Sequence, residues 1–213
     1  MGINQHVWKL IYHDPSLTKN LKLKLTNHRA LANYLIKTHK LTATLDAVIS
    51  AIRRIDLDDV PLLSHKIEDV FKGVAIITKT QMASMTLKEV SYKNIVEDYI
   101  HHAILRKNYR LLKSKNYLKL ILEQKDIDKK IKVFPHNEII AINKDLGEIR
   151  LTFTKDITKM KGVLARITGE LALNNVNVEE IVICIPEILI YVKENELLTA
   201  HQSLLGLTRV EQN

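Results

Sequence analysis

The hydrophobic period of this chain changes once, near Gly73, and that change limits the folds open to it. Before it, apolar residues recur at helical spacing. Leu45, Val48, Ile49 and Ile52 fall on one stripe, with Asp46, Ser50, Arg53 and Arg54 outside it, as in a helix with one buried and one wet face. Helices are expected over residues 6–12, stopped by Asp14 and Pro15, over 27–38 with Leu31, Tyr34 and Leu35 together, and over 45–55, with a less regular piece over 17–25. The connection from Lys40 to Thr44 is short, and Thr42 or Thr44 can cap the helix that follows. Two short helices and a tight turn make a helix-turn-helix shape.

After Gly73 the pattern alternates. Residues 73–89 read as strand, 93–106 as helix, 109–113 and 117–122 as strands, 127–134 as helix and 138–142 as strand. The same order then repeats: strand 148–154, helix 162–173, strand 177–185, strand 188–192, helix 194–205 and an edge strand at 207–211. In the second pass Leu164, Ile167 and Leu171 share a helical stripe. Val178, Val182 and Cys184 fall on one strand face, and Ile181, Ile183 and Ile185 on the other, so both faces are expected to be covered. The expected fold is α+β: an N-terminal helix-turn-helix head over 1–72, followed by two ferredoxin-like βαββαβ units over 73–145 and 146–213. The repeat is one of topology, not of identity.

Composition narrows the functional classes. The 213 residues are 46% hydrophobic and 26% charged, with mean hydropathy −0.06, which is globular composition. No apolar run approaches the roughly 20 residues of a membrane helix, and Gln5, His6 and Lys9 interrupt the N-terminal apolar stretch, so the chain reads as cytoplasmic with no membrane partner. The single cysteine, Cys184, allows no internal disulfide or thiolate metal cluster and reads as a small core residue. The formal charge of +8 is uneven: +4 over residues 1–60, +6 over 61–145 and −2 over 146–213. This permits a nucleic-acid partner without requiring one.

One local motif carries chemistry. Lys161-Gly162-Val163-Leu164 opens a helix directly after a strand, and Asn175-Val176-Asn177-Val178 leads into the next strand. Glycine lets a ligand approach the backbone, and the free N–H groups of a first helical turn favour a carboxylate. Lys161 adds positive charge there, and Asn177 offers both donors and an acceptor. Gly162 and Asn177 also read as turn chemistry alone.

The stretch from Lys161 to Ile167, with Leu171, Asn175–Val178 and Ile181, resembles the signature of ACT domains, the small amino-acid-sensing modules of metabolic enzymes. The upstream pass would make a tandem pair like the regulatory region of aspartate kinases, and the whole chain resembles archaeal proteins that join a winged-helix-like head to such a pair. The resemblance implies ligand positions at Met160, Lys161, Gly162, Val163, Leu164, Asn175 and Asn177, lining a pocket between ACT units. Lys161 stands where the family pattern has proline, which removes a fixed φ angle from the pocket.

In the head, Thr42, Thr44, Ser50, Arg53 and Arg54 are the candidates for DNA contact. The two arginines also read as surface residues matched to the helix dipole, and Asp46 would meet a phosphate badly. No GxSxG, Walker, GxGxxG or HExxH pattern is present. Adjacent His101 and His102 diverge by about 100° on a helix and do not form a metal pair. No catalytic residue, metal or cofactor is expected. The reading is a non-enzymatic regulator, a homodimer that senses an amino acid and contacts DNA through its head. The alternative is a regulatory subunit whose head docks a metabolic enzyme. An enzyme built on Glu97, Asp98, His101 and His102 is the third.

Overall fold

In a computed structural model of the chain, residues 2–58, 67–91 and 109–208 are described. The chain forms two compact units, Met1–Leu63 and Ser64–Asn213. The first is helical: α1 (Ile3–His13), α2 (Pro15–Lys22), α3 (His28–His39) and α4 (Leu45–Arg53). Each start after α1 has its own cap. Asp14 accepts from the N–H groups of Ser16 and Leu17 with Pro15 as the next residue, Asn27 accepts from Arg29 and Ala30, and Thr44 accepts from Ala47. Lys40 ends α3 in the left-handed region (φ 50°), which turns the chain sharply towards α4. The expected stripe is buried: Val48, Ala51 and Ile52 pack with Val7, Ile11, Leu31 and Leu35. Trp8 Nε1 donates to the Ala51 carbonyl at 2.7 Å, which ties α1 to α4.

The second unit contains the short helix α5 (Glu68–Phe71), then β1 (Ala75–Lys88), β2 (Arg110–Lys113), β3 (Tyr117–Glu123), α6 (Gln124–Ile131), β4 (Ile139–Thr152), α7 (Val163–Leu173), β5 (Glu180–Cys184), β6 (Glu187–Lys193) and α8 (Leu197–Thr208). One six-stranded sheet holds all the strands in the order β2-β3-β1-β4-β6-β5, with every pair antiparallel.

The long strands β1 and β4 each run 14 residues, and each breaks its register at its seventh residue, where Gln81 (φ 55°) and Asp145 (φ 56°) take left-handed backbone. The side chain that follows the inner neighbouring strand captures each exposed N–H. Gln81 N–H donates to Glu194 Oε2 at 3.0 Å, and Asp145 N–H donates to Gln124 Oε1 at 2.6 Å. These paired bulges divide the ribbon. Residues 82–88 of β1 pair with β3, and residues 146–152 of β4 pair with β6. Each half therefore has the strand order of a βαββαβ unit, and the first half of β1 lies at the edge of the half built on β4 and β6. The expected boundary at 145/146 falls on a bulge inside a continuous strand.

The halves fold onto each other. Arg110 on β2 and Glu148 on β4 are three strands apart, about 14 Å across a flat sheet, and the register displaces them further along it. Yet Arg110 Nη2 lies 2.9 Å from Glu148 Oε1. Lys119 on β3 likewise pairs with Glu180 on β5, four strands away. Only a sheet bent at the bulges brings these side chains together. The inner seam holds Met82, Ile121, Leu146, Leu189 and Tyr191. On the outer side of one half, Ile149, Leu151, Ile188 and Ile190 pack under α7 and α8, and on the other Ala83, Met85, Leu118 and Leu120 pack with Ile127 of α6.

Glu148, 2% exposed, is the charge at the centre of the seam. It accepts from Arg110, from Arg150 Nη2 at 3.2 Å and from the Tyr191 hydroxyl at 2.9 Å. Burial first, and then the Glu148 charge, push the Tyr191 phenol far above its ordinary value, which keeps it a neutral donor.

Several expectations change. The helix expected over 127–134 starts at Gln124 directly after β3, and the strands expected at 138–142 and 148–154 are one continuous β4. The edge strand expected at 207–211 is helical through Thr208, and its remainder lies outside the described residues, as does the helix expected over 93–106. Cys184 is exposed, not core, because β5 is an edge strand; Ile183 is 50% exposed beside it.

Replacing Glu148 with alanine leaves two guanidiniums facing each other across the seam, and unfolding in urea is expected to show a loss of about 3–5 kcal/mol. Glu123 yields a second expectation. Lys125 and Lys79 hold its carboxyl at about 2, below the ordinary 4.5. A depressed folded pKa stabilises above the unfolded value, so this contribution is complete above pH 4.5 and disappears as pH falls towards 2. Both lysines reach solvent, so Glu123→Gln is expected to cost about 1 kcal/mol or less at pH 7 and nothing at pH 2 in thermal melts.

Candidate functional site

The Gly162 corner is built from the loop that leaves β4. Phe153 stays in the core, and its N–H donates to the Pro186 carbonyl at 3.0 Å. Asp156 Oδ1 accepts from the Thr158 hydroxyl at 2.6 Å and the Thr158 N–H at 2.9 Å, a closed turn that holds the carboxyl below its usual range. Ile157 and Met160 pack inward against the same core, while Lys161 is exposed. Gly162 then takes φ 91°, and Val163 enters the core as the first residue of α7. No side chain caps this helix. The Arg166 N–H bonds to the Gly162 carbonyl at 2.9 Å, so the N–H groups of Val163, Leu164 and Ala165 precede the first intrahelical bond. Leu164 faces solvent beside them.

At the far end of α7 the Val176 N–H returns to the Leu171 carbonyl, and Asn175 sits in the left-handed region at φ 56°. Asn177 follows, exposed. Its N–H donates to Glu196 Oε2 at 3.3 Å and its Nδ2 to Glu179 Oε1 at 3.2 Å. The structure therefore places Met160, Lys161, Gly162, Val163 and Leu164 at one end of α7 and Asn175 and Asn177 at the other. Eleven helical residues separate them, about 16 Å. One free amino acid cannot touch both ends within a single chain.

The two ends have opposite character. Lys161 and three backbone N–H groups suit an anion. Asn177 lies between two carboxylates and suits a cation. Glu179 and Glu196 were missed by the sequence reading; the acidic pairs at 179–180 and 194–196 were the signal, but nothing local tied them to Asn177, 19 residues from Glu196.

In the head, Thr44 is spent on its cap and Thr42 is exposed in the turn before α4. Ser50 and Arg53 line a cavity of about 530 Å³ with Asn27, His28, Arg29 and Asp46. Arg53 and His28 also border a neighbouring cavity of about 690 Å³ that reaches Lys24 and Arg54. The arginines thus gather with the start of α3, apart from the two threonines; Arg29 had drawn no attention in the sequence, whereas Lys24, with Lys19 and Lys22, reads there either as a backbone contact or as part of a solvated face. Glu97, Asp98, His101 and His102 lie outside the described residues. Among the described residues no three His, Cys, Asp or Glu side chains group as metal ligands, and no helix is long and apolar enough to cross a membrane.

An alanine at position 162 must adopt φ near 91° or shift the turn. Gly162→Ala is expected to lower stability by about 1–3 kcal/mol in thermal unfolding; an unchanged melting temperature would show that the corner relaxes freely.

No family model matches the sequence, and no curated protein matches it significantly. Solved structures do match. The aspartate kinase of Clostridium acetobutylicum, described as an allosteric enzyme, superposes with a TM-score of 0.51 at 15% identity over 66% of this chain, which spans only 36% of that kinase. The aspartokinase alpha and beta subunits give 0.52 at 11% identity over 64% of this chain and 98% of theirs. The regulatory subunit of aspartate kinase from Thermus flavus gives 0.50 at 12% over 65% and 98%. Matches of this extent must include at least about half of the sheet unit, because the head holds fewer than a third of the residues. At these identities the likeness concerns the fold: the sheet unit has the ACT-type α+β fold of aspartate kinase regulatory chains.

Proposed function

We propose that the chain is a non-catalytic regulator that binds a free amino acid between ACT units of two copies. Two units make up the sheet: one from the second half of β1 through the first half of β4, the other from the second half of β4 through α8 and completed by the first half of β1. The observation that carries the ligand reading is the opposed polarity of the ends of α7. An α-carboxylate fits the uncapped turn after Gly162 with Lys161, and an ammonium fits Asn177, Glu179 and Glu196. Because these ends are an entire helix apart, the ligand takes the first from one copy and the second from another.

The surface around α7 supports such pairing. Leu173 is 81% exposed, and Leu164, Ile183 and Ile185 are also open to solvent along the edge marked by β5. An apolar edge of this kind favours a homodimer. A ligand held across it stabilises one arrangement of the copies by its differential affinity and no more, and through that shift alters what the head contacts. The head's basic groove makes DNA the partner we favour over a docked enzyme, since Lys24, Arg29, Arg53 and Arg54 border it.

Titration calorimetry of the full chain against the twenty amino acids, with light scattering, tests the proposal. At least one amino acid is expected to release heat and to bind a species of twice 24.5 kDa. At a concentration of 100 times Kd it should stabilise the fold by about 2.7 kcal/mol. Lys161→Ala and Glu196→Gln should each weaken binding without changing the mass. Absence of heat and of any melting shift for all twenty would end the sensing reading.

A further inference from the structure

We infer that the groove between α3 and α4 of the head seats phosphates of duplex DNA, with Arg29 and Arg53 as the groups that grip them. This rests on the reading of the head as a DNA-contacting element and assigns the residues that do it.

The two head cavities meet at Thr26, His28 and Arg53 and so form one groove around the Arg53 side chain. Lys24, Arg29, Arg53 and Arg54 border it, all exposed, and none of the four forms an ion pair among the described residues. Several cations of the sheet unit are neutralised instead: Arg110 and Arg150 by Glu148, Lys79 and Lys125 by Glu123, Lys119 by Glu180. Three acids also line the groove: Asp46 is the single carboxylate in the smaller cavity, and Asp56, whose Oδ1 accepts from the Asp58 N–H, and Asp58 border the larger one, away from Arg29.

Guanidinium forks match the paired oxygens of a phosphodiester, and Ser50 and the Asn27 amide add uncharged donors beside them. Ile49 is the single apolar residue lining the smaller cavity, whereas Leu21, Ile52, Ile55 and Leu57 border the larger, so the polar end of the groove, between Arg29 and Arg53, is the part that suits phosphates. Asp46, Ser50 and Arg53 share the exposed face of α4, and a helix face of that kind is what the major groove of DNA accepts. In this arrangement Thr42 and Thr44 contribute no phosphate contact.

Fluorescence anisotropy of the full chain with a 25-base-pair mixed-sequence duplex, at 50–200 mM KCl, reads the proposal. The wild type should bind with a negative salt slope. Arg29→Ala and Arg53→Ala should each flatten that slope by about one and weaken binding about eightfold at 0.1 M salt. Asp46→Asn should tighten binding, a gain that misfolding cannot mimic, and Lys37→Ala, outside the groove, should leave it unchanged. If the wild type binds but the two groove variants behave like Lys37→Ala, the groove assignment fails and DNA binding stands. If the wild type does not bind at 50 mM, the DNA reading fails and takes the groove with it. Equal competition by polyglutamate would overturn the commitment to DNA.

Discussion

A carboxylate placed between two layers of sheet must be answered by cations or it forces the layers apart. Glu148 occupies that position, and the two arginines and one tyrosine that answer it come from β2, β4 and β6. Arg110 is drawn from the distant edge of the other half, so the ion cluster is possible only when the sheet is folded at Gln81 and Asp145. The cluster and the bend therefore require each other. With helices on the outer faces and the polar seam between them, the outer surface of α7 is left available for other contacts.

The availability of α7 shapes the candidate site. Its start is electropositive and its far end acidic, and the intervening helix has Val163, Ile167 and Leu171 locked into the core, so neither end can swing towards the other. Rigidity here makes the site incomplete within one chain and couples ligand capture to assembly. The relation to aspartate kinase regulatory chains is one of fold, and the chemistry proposed for this chain derives from its own Lys161, Asn177, Glu179 and Glu196.

The head follows a simpler logic. Its core is an amphipathic arrangement in which Trp8 and the caps of α2, α3 and α4 fix the helices, and among its cations Lys24, Arg29, Arg53 and Arg54 form no ion pair with the described residues. In the sheet unit the lysines and arginines that approach carboxylates are consumed structurally. Four cations without ion pairs around one groove, rather than the basic character of the chain as a whole, are the ground for proposing a polyanion there.

Much of this was legible in the residues alone. The helical stripe of α4, the cap at Thr44, the stop at Asp14 and Pro15, the glycine turn before Val163 and the strand over 188–192 are local patterns, set by the conformational preferences of a few neighbouring residues, and they appear where expected. The single sheet, its fold at two bulges, the burial of Glu148 and the grouping of Asn177 with Glu179 and Glu196 were not legible. Each depends on side chains brought together from distant strands, and nothing in the local sequence around Glu148 separates a solvated glutamate from one enclosed by Arg110. The exposure of Cys184 has the same origin: an apolar strand reads as buried until the sheet order shows that it is an edge. Local propensity determined the elements; strand order and the bend, which bury apolar faces from distant strands and bring cations to the buried Glu148, decided which residues meet.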